Sequence, residues 1–175
     1  AGYTSIANCI SNAGYYFDST AGNTATICPP RKYCPKGTTG PVANLPTCPD
    51  HTTSSEGSSS HRDCRAEAGW FYPHDDADTD ETTLATPCDK DTYCASGAIE
   101  ATDCPDNTNT GELINRIQKS DCVSNPGYYY DVNDELHIHA QACPAGTYNS
   151  NNDTISVDGC TKCPENTYSV NTART

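Results

Sequence analysis

The sequence predicts a small disulfide-rich fold, an elongated array of three cysteine-rich repeats with short β-ribbons and little helix. Three observations predict it. The phrase that opens each repeat recurs as Cys9-Ile-Ser-Asn-Ala-Gly14-Tyr-Tyr-Phe, Cys64-Arg-Ala-Glu-Ala-Gly69-Trp-Phe-Tyr and Cys122-Val-Ser-Asn-Pro-Gly127-Tyr-Tyr-Tyr, at a period of 55 and then 58 residues. Such a period marks one small unit used serially. Leu, Ile, Val and Phe together number 19 of 175 residues, too few to bury a sizeable apolar core. Twelve cysteines stand in for that core, since a disulfide closing a loop of about 15 residues stabilises by roughly 3 kcal/mol through restriction of the unfolded chain.

The repeats run from 1 to 63, from 64 to 121 and from 122 to 175. In each, a second cysteine is followed five residues later by tyrosine: Cys28 with Tyr33, Cys88 with Tyr93, Cys143 with Tyr148. A third cysteine comes directly after that tyrosine at Cys34 and Cys94. The fourth stands in a shared phrase, Cys48-Pro-Asp-His-Thr, Cys104-Pro-Asp-Asn-Thr and Cys163-Pro-Glu-Asn-Thr. The third repeat departs from this order, with Asn149 at the expected third position and Cys160 three residues before Cys163. Four cysteines in each repeat imply pairing within each repeat.

Gly, Pro, Asn, Asp, Ser and Thr punctuate nearly every stretch, so only short extended pieces are expected, over 14–18 and 127–132. Leu113, Ile114 and Ile117 fall at helical spacing within 111–120, which predicts a helical turn or two. The aromatic triplets after Gly14, Gly69 and Gly127 supply most of the large apolar surface. They read as the packing of each repeat's small core, the rival reading being a ledge for a sugar or a protein. The polar run Thr52 to Ser60 reads as a flexible surface loop and a candidate for O-glycosylation.

The formal net charge of -13 argues against nucleic acid and against anionic membrane surfaces, both of which reward clustered Lys and Arg. No run of 18 apolar residues occurs, so no membrane span is expected. Disulfides at this density belong to an oxidising compartment, which predicts an extracellular or cell-surface protein. The chain opens Ala-Gly-Tyr and holds no methionine, which suits a processed mature form or a segment of something longer. The one N-glycosylation acceptor is Asn152-Asp-Thr154, so covalently attached glycans are expected there.

Candidate chemistry is sparse. Cys160-Thr-Lys-Cys163 has the spacing of half a zinc ribbon, with no second pair to complete four ligands. The run Asp75-Asp76-Ala-Asp78-Thr-Asp80-Glu81 alternates carboxylates as a calcium loop does. It lacks the glycine and the bidentate glutamate of an EF-hand, leaving at most a weak extracellular site beside the plain reading of a solvated loop. Asp131, Asn133, Asp134, Glu135, His137 and His139 place two imidazoles on one side of a strand, a pattern that a polar strand face also explains. No nucleophile elbow, metalloprotease helix or phosphate-binding glycine loop is present. The expectation is a protein that is not an enzyme, with no catalytic residue, no metal and no cofactor.

At Cys28-Pro-Pro-Arg-Lys-Tyr-Cys34-Pro-Lys-Gly-Thr-Thr, at Cys48-Pro-Asp-His-Thr-Thr-Ser-Ser-Glu-Gly and at Cys143-Pro-Ala-Gly-Thr-Tyr the chain resembles the C-P-x-G-T-Y repeats of TNF-receptor, ephrin-receptor and related ectodomains, which also occur in algal and protist surface proteins. The resemblance implies a disulfide ladder, an elongated shape and no catalytic residues. The 23 residues between Cys64 and Cys88 and the displaced Cys160 depart from a strict module. The interlaced pairing it implies joins Cys9 with Cys34, Cys28 with Cys48, Cys64 with Cys94, Cys88 with Cys104, Cys122 with Cys160 and Cys143 with Cys163. A sequential scheme ranks second, because it closes Cys160 to Cys163 across two residues. A third scheme links each fourth cysteine to the first of the next repeat, leaving Cys163 and Cys9 to pair between different molecules.

The chain stops 12 residues after Cys163 and starts eight before Cys9, a phase in which one copy follows another. The functional expectation is a structural subunit whose partners are copies of itself, assembled head to tail into an extracellular filament or coat. The alternative is a receptor or adhesion ectodomain that presents the loops Tyr72 to Pro87 and Asn149 to Gly159 to a protein or glycan ligand.

Overall fold

So many turn-forming residues leave no room for a long backbone ladder, and the main-chain groups must be satisfied in short pieces. The computed structural model describes residues 9–18, 24–73, 83–130 and 140–169. Among these residues there is no α-helix, and four 3-10 turns of three residues each are the only helical elements. The strands pair two by two. In chain order, β1 (Tyr15–Phe17) pairs with β2 (Ala25–Ile27), β3 (Thr52–Thr53) with β4 (Arg65–Ala66), and β5 (Trp70–Phe71) with β6 (Thr86–Pro87). They continue as β7 (Thr92–Tyr93) with β8 (Thr102–Asp103), β9 (Thr108–Asn109) with β10 (Val123–Ser124), β11 (Tyr128–Tyr130) with β12 (Ala140–Ala142), and β13 (Thr147–Tyr148) with β14 (Thr161–Lys162). The molecule is thus cysteine-rich, with short two-stranded antiparallel sheets. The extended pieces expected after Gly14 and Gly127 are β1 and β11.

Two compact units are present, Ala1–Thr86 with Ser96–Glu100, and Pro87–Ala95 with Ala101–Thr175. The first holds two small clusters, Tyr16, Cys28, Cys34 and Leu45, and Cys48, Cys64, Ala66 and Tyr72 with Tyr33, Trp70 and Ala85 packed against them. In the second, Cys88, Cys94, Cys122, Cys143, Tyr130 and Ala140 are buried. Sulfur and tyrosine carry the apolar burial that aliphatic residues supply elsewhere. Each aromatic triplet buries one ring, Tyr16, Tyr72 or Tyr130, as local packing requires. The buried Tyr130 hydroxyl donates to the Cys122 carbonyl at 2.8 Å. Gly14 sits at φ +82° where a Cβ would run into the Gly57 carbonyl oxygen, so a side chain is excluded by both backbone and space.

Five disulfides close: Cys28–Cys34, Cys48–Cys64, Cys88–Cys94, Cys104–Cys122 and Cys143–Cys160. This overturns pairing confined to each repeat, and with it the interlaced map of Cys9 with Cys34, Cys28 with Cys48, Cys64 with Cys94, Cys88 with Cys104, Cys122 with Cys160 and Cys143 with Cys163. The physical reason is local: the antiparallel pairs bring a cysteine before one strand beside a cysteine before its partner, with Cα atoms 5.7–5.8 Å apart. The pairs Cys48–Cys64 and Cys104–Cys122 are the fourth-to-first links of the third scheme.

Two other expectations fail. Of residues 111–120, Leu113, Ile114 and Ile117 lie outside any helical turn, because Glu112 and Asn115 lie in the left-handed region at φ 69° and 58°, and the 3-10 turn Lys119–Asp121 takes in only the segment's last two residues. The backbone there is committed elsewhere, with Asn115 N donating to Cys88 O and Cys94 N to Arg116 O. Leu113, Ile114 and Ile117 accordingly stay exposed. The run Thr52 to Ser60 is no loose loop either: Thr52, Ser54 and Ser58 are buried, the Ser54 hydroxyl donates to the Lys32 carbonyl at 2.7 Å, and Cys34 N donates to Ser58 O at 2.9 Å. Small hydroxyls let the loop pack tightly against the Cys28–Cys34 turn.

Candidate functional site

One structural device recurs along the chain. A cysteine opens it, the third residue after that cysteine turns into the left-handed region, and in four of the six cases a strand begins on the fourth, at Thr52, Thr92, Thr108 and Thr147. The turning residues are Arg31 (φ 65°), His51 (59°), Asp91 (62°), Asn107 (62°), Gly146 (82°) and Asn166 (63°). In five of the six the residue after the turn is threonine, and its amide and hydroxyl both donate back to the carbonyl of the residue after the cysteine. These contacts are Thr52 to Pro49, Thr92 to Asp89, Thr108 to Pro105, Thr147 to Pro144 and Thr167 to Pro164. Proline suits that position because its own missing N–H is not needed there.

Four of these turns are completed by a returning strand, and in three of the four a disulfide also closes the ribbon, in one register. Thr52 lies opposite Ala66 and Thr53 opposite Arg65. Thr108 lies opposite Ser124 and Asn109 opposite Val123. Thr147 lies opposite Lys162 and Tyr148 opposite Thr161. In each, the residue two before the second strand's end is the closing cysteine, Cys64, Cys122 or Cys160, preceded by a 3-10 turn at His61–Asp63, Lys119–Asp121 or Val157–Gly159. The third residue after the closing cysteine donates its amide to the carbonyl of the turning residue: Glu67 to His51, Asn125 to Asn107, Cys163 to Gly146. The Cys143–Cys160 bridge is therefore the same joint as Cys48–Cys64 and Cys104–Cys122.

The displaced cysteine of the third repeat now has a structural meaning. Cys160 stands where Leu45 is buried in the first repeat, and Asn149 stands where Cys34 is. Gly127 N donates to Asn149 O at 2.7 Å just as Gly14 N donates to Cys34 O at 2.9 Å. Asn149 is 2% exposed and fully used: its Nδ2 donates to Tyr128 O at 3.0 Å and to Thr154 Oγ1 at 2.7 Å, and its Oδ1 accepts from Asn151 N at 2.9 Å.

Two cysteines stay free among the described residues, Cys9 and Cys163. Cys163 opens a turn built like the others: Cys163 N donates to Gly146 O at 2.9 Å, as Cys48 N does to Arg31 O and Cys104 N to Asp91 O. Ser169, six residues on, accepts from Gly146 N as Ser54 O accepts from Arg31 N. What differs is exposure. Thr167 is exposed, whereas Thr52 and Thr108 at the same place are 0% and 8% exposed. Cys9 is the converse case, a closing half with Ile10 and Ser11 after it. Cys9 is exposed, whereas Cys64 and Cys122 are 0% and 2% exposed. Ile10 and Tyr168, the two positions that would face each other in the common register, are 61% and 79% exposed.

Other expected chemistry falls away or lies elsewhere. Cys160 is bonded to Cys143, so Cys160 and Cys163 do not form a zinc pair. Among the described residues no group of three or more His, Cys, Asp or Glu side chains gathers as a metal site would require. The acidic run 75–81, the cluster of Asp131 to His139 and most of the loop Tyr72 to Pro87 lie outside the described residues. The loop Asn149 to Gly159 is folded inward through Thr154, whose amide donates to Ser124 Oγ at 2.9 Å, while Asn152 is exposed with its Oδ1 accepting from Asn109 Nδ2 at 3.3 Å. A polar depression lined by Ser55, Glu56, Gly57, Ser58, Asp63 and Arg65 holds no nucleophile paired with a base. Burial, and secondarily the nearby Tyr33, pushes the Tyr72 phenol above its ordinary 10.0. On the surface, the hydrogen bond and charge of Glu112 hold the Lys90 ammonium above its usual value. Trp70 is stacked on His51 at 3.5 Å between ring centres and 5° between planes, which covers the turn of the first joint. No protein-family model matches the chain, and no curated protein matches it. No helix among the described residues is long and apolar enough to cross a membrane.

Proposed function

We propose that this chain is a non-enzymatic structural subunit of an extracellular filament or surface coat, assembling head to tail as a rod of three cysteine-rich repeats. One observation carries the reading: a closing half-ribbon at Cys9, which exposes the cysteine position buried at Cys64 and Cys122, and an opening half-ribbon at Cys163, which exposes the threonine position buried at Thr52 and Thr108. Two different, complementary surfaces on one molecule form a heterologous contact, and a heterologous contact that does not close into a ring propagates as a fibre. The density of disulfides supports an oxidising, extracellular setting, and exposed Asn152 supports a glycan on the fibre surface.

Electron microscopy of native, unreduced protein tests this. The expected result is regular fibres whose axial repeat is one chain. Dispersed single particles at all concentrations would contradict it and turn the search toward a bound ligand.

A further inference from the structure

We infer that the joint between successive copies is covalent: Cys163 of one copy is disulfide-bonded to Cys9 of the next, and the two half-ribbons complete a fourth joint of the kind that closes three times within the chain. This inference rests on the assembly reading and names its chemistry. The three closed joints serve as internal templates, each with its cysteines 16–18 residues apart in sequence and 5.7–5.8 Å apart between Cα atoms. Transferring their register sets Thr167 opposite Ser11 and Tyr168 opposite Ile10, with Asn12 N donating to the Asn166 carbonyl. Several elements of the template are in place on one side or the other. The left-handed Asn166 and the Thr167-to-Pro164 bonds are formed. Ser11 is already buried, its hydroxyl donating to Thr38 O at 2.9 Å, as Ala66 and Ser124 are in two of the closed joints. Docking covers Ile10 with Tyr168, a cross-strand aromatic and β-branched pair of the type that stabilises antiparallel ribbons, and buries Thr167.

The bond forms by thiol–disulfide exchange with an external low-molecular-weight disulfide of the glutathione class. One thiolate, at Cys163, attacks that disulfide, giving a mixed disulfide and releasing one thiol. The Cys9 thiolate of the next copy then attacks the Cys163 sulfur and releases the second thiol. Two protein thiols are oxidised, one external disulfide is reduced to two thiols, and the two cysteine protons leave with the released thiols. Strand pairing precedes the exchange and sets its partner, since it holds Cys9 rather than another thiol beside Cys163.

The test mixes equal amounts of unlabelled and nitrogen-15-labelled reduced-at-the-ends protein and lets them assemble with oxidised glutathione. Proteolysis without reductant and mass spectrometry follow. The expected product is a Cys9–Cys163 linked peptide in which species carrying one label on each half are as abundant as the uniformly labelled ones. Linked peptides without mixed labels, or Cys9–Cys9 and Cys163–Cys163 pairs in place of Cys9–Cys163, would overturn the inference. A C9S/C163S double variant separates this claim from the assembly reading. Fibres of the wild type that dissolve to monomers in detergent without reductant overturn the covalent joint while leaving the filament standing. Detergent-resistant wild-type ladders that collapse to monomer in the double variant support the joint.

Discussion

The joint at Cys104–Cys122 and the half-joint at Cys163 are the same sequence element in two states. Both open with cysteine, proline, an acidic residue, a left-handed asparagine and threonine, and both turns hold the same two hydrogen bonds to the proline carbonyl. In the first, a returning strand buries Thr108 and engages the sulfur. In the second, Thr167 and Tyr168 face outward. The turn is thus encoded locally and forms alone, while burial and the sulfur bond need the second strand. Local backbone chemistry prepares the site, and a partner of matching register completes it.

The largest effect separates the two states directly. Replacing both cysteines of the closed joint, C104S/C122S, removes a bridge across 18 residues and is expected to cost about 3 kcal/mol or more in denaturant unfolding of the monomer. C9S/C163S touches only the open halves, and surface changes of that kind stay within about 0.5 kcal/mol. Equal losses in the two variants would erase the comparison.

Asn149 sharpens it from inside the third repeat. Asn149→Ala removes the donor to the Tyr128 carbonyl and to the buried Thr154 hydroxyl, at about 1–3 kcal/mol for unsatisfied buried groups. The paired change N149C/C160L tests the equivalence with Cys34 and Leu45. Peptide mapping is expected to find Cys143 bonded at position 149, the six-residue loop of Cys28–Cys34. A free Cys143 would show that the two positions are not equivalent.

A smaller effect concerns alkaline stability. Folding holds the Tyr72 proton more tightly than the unfolded chain does, so the stabilisation is intact below pH 10.0 and is lost as pH rises through the raised folded value. Tyr72→Phe has no such proton to lose, and its unfolding midpoint is expected to fall less between pH 9 and pH 11 than that of the unaltered protein. Parallel falls would assign the alkaline loss to other groups.

The sequence makes part of this legible. Cysteine density, scarce aliphatics and turn residues point to a stapled, ribbon-built fold, and the triplets after Gly14, Gly69 and Gly127 each deliver a core ring. The pairing is less legible, because repeat phase counts cysteines while strand register chooses partners. Cys64 begins one repeat in sequence yet finishes the ribbon that Cys48 began. A signal was present: Cys143-Pro-Ala-Gly-Thr follows the same pattern as Cys48-Pro-Asp-His-Thr and Cys104-Pro-Asp-Asn-Thr, which marks Cys143 as an opener whose closer is Cys160. The Leu113, Ile114 and Ile117 spacing misleads because the backbone of that segment is spent on Cys88 and Cys94, and tertiary hydrogen bonds outweigh a weak local helical preference. The serines of 52–60 mislead because composition cannot show that a hydroxyl has a carbonyl waiting for it.

The most direct measurement is the disulfide map of the unreduced protein, obtained by proteolysis under mildly acidic conditions that stop exchange. The account predicts Cys28–Cys34, Cys48–Cys64, Cys88–Cys94, Cys104–Cys122 and Cys143–Cys160 within the chain, with Cys9 and Cys163 bonded only to each other and only between copies. Recovery of Cys9–Cys34 and Cys28–Cys48 would contradict it, since that map seals each repeat and leaves no half-joint to offer a neighbour.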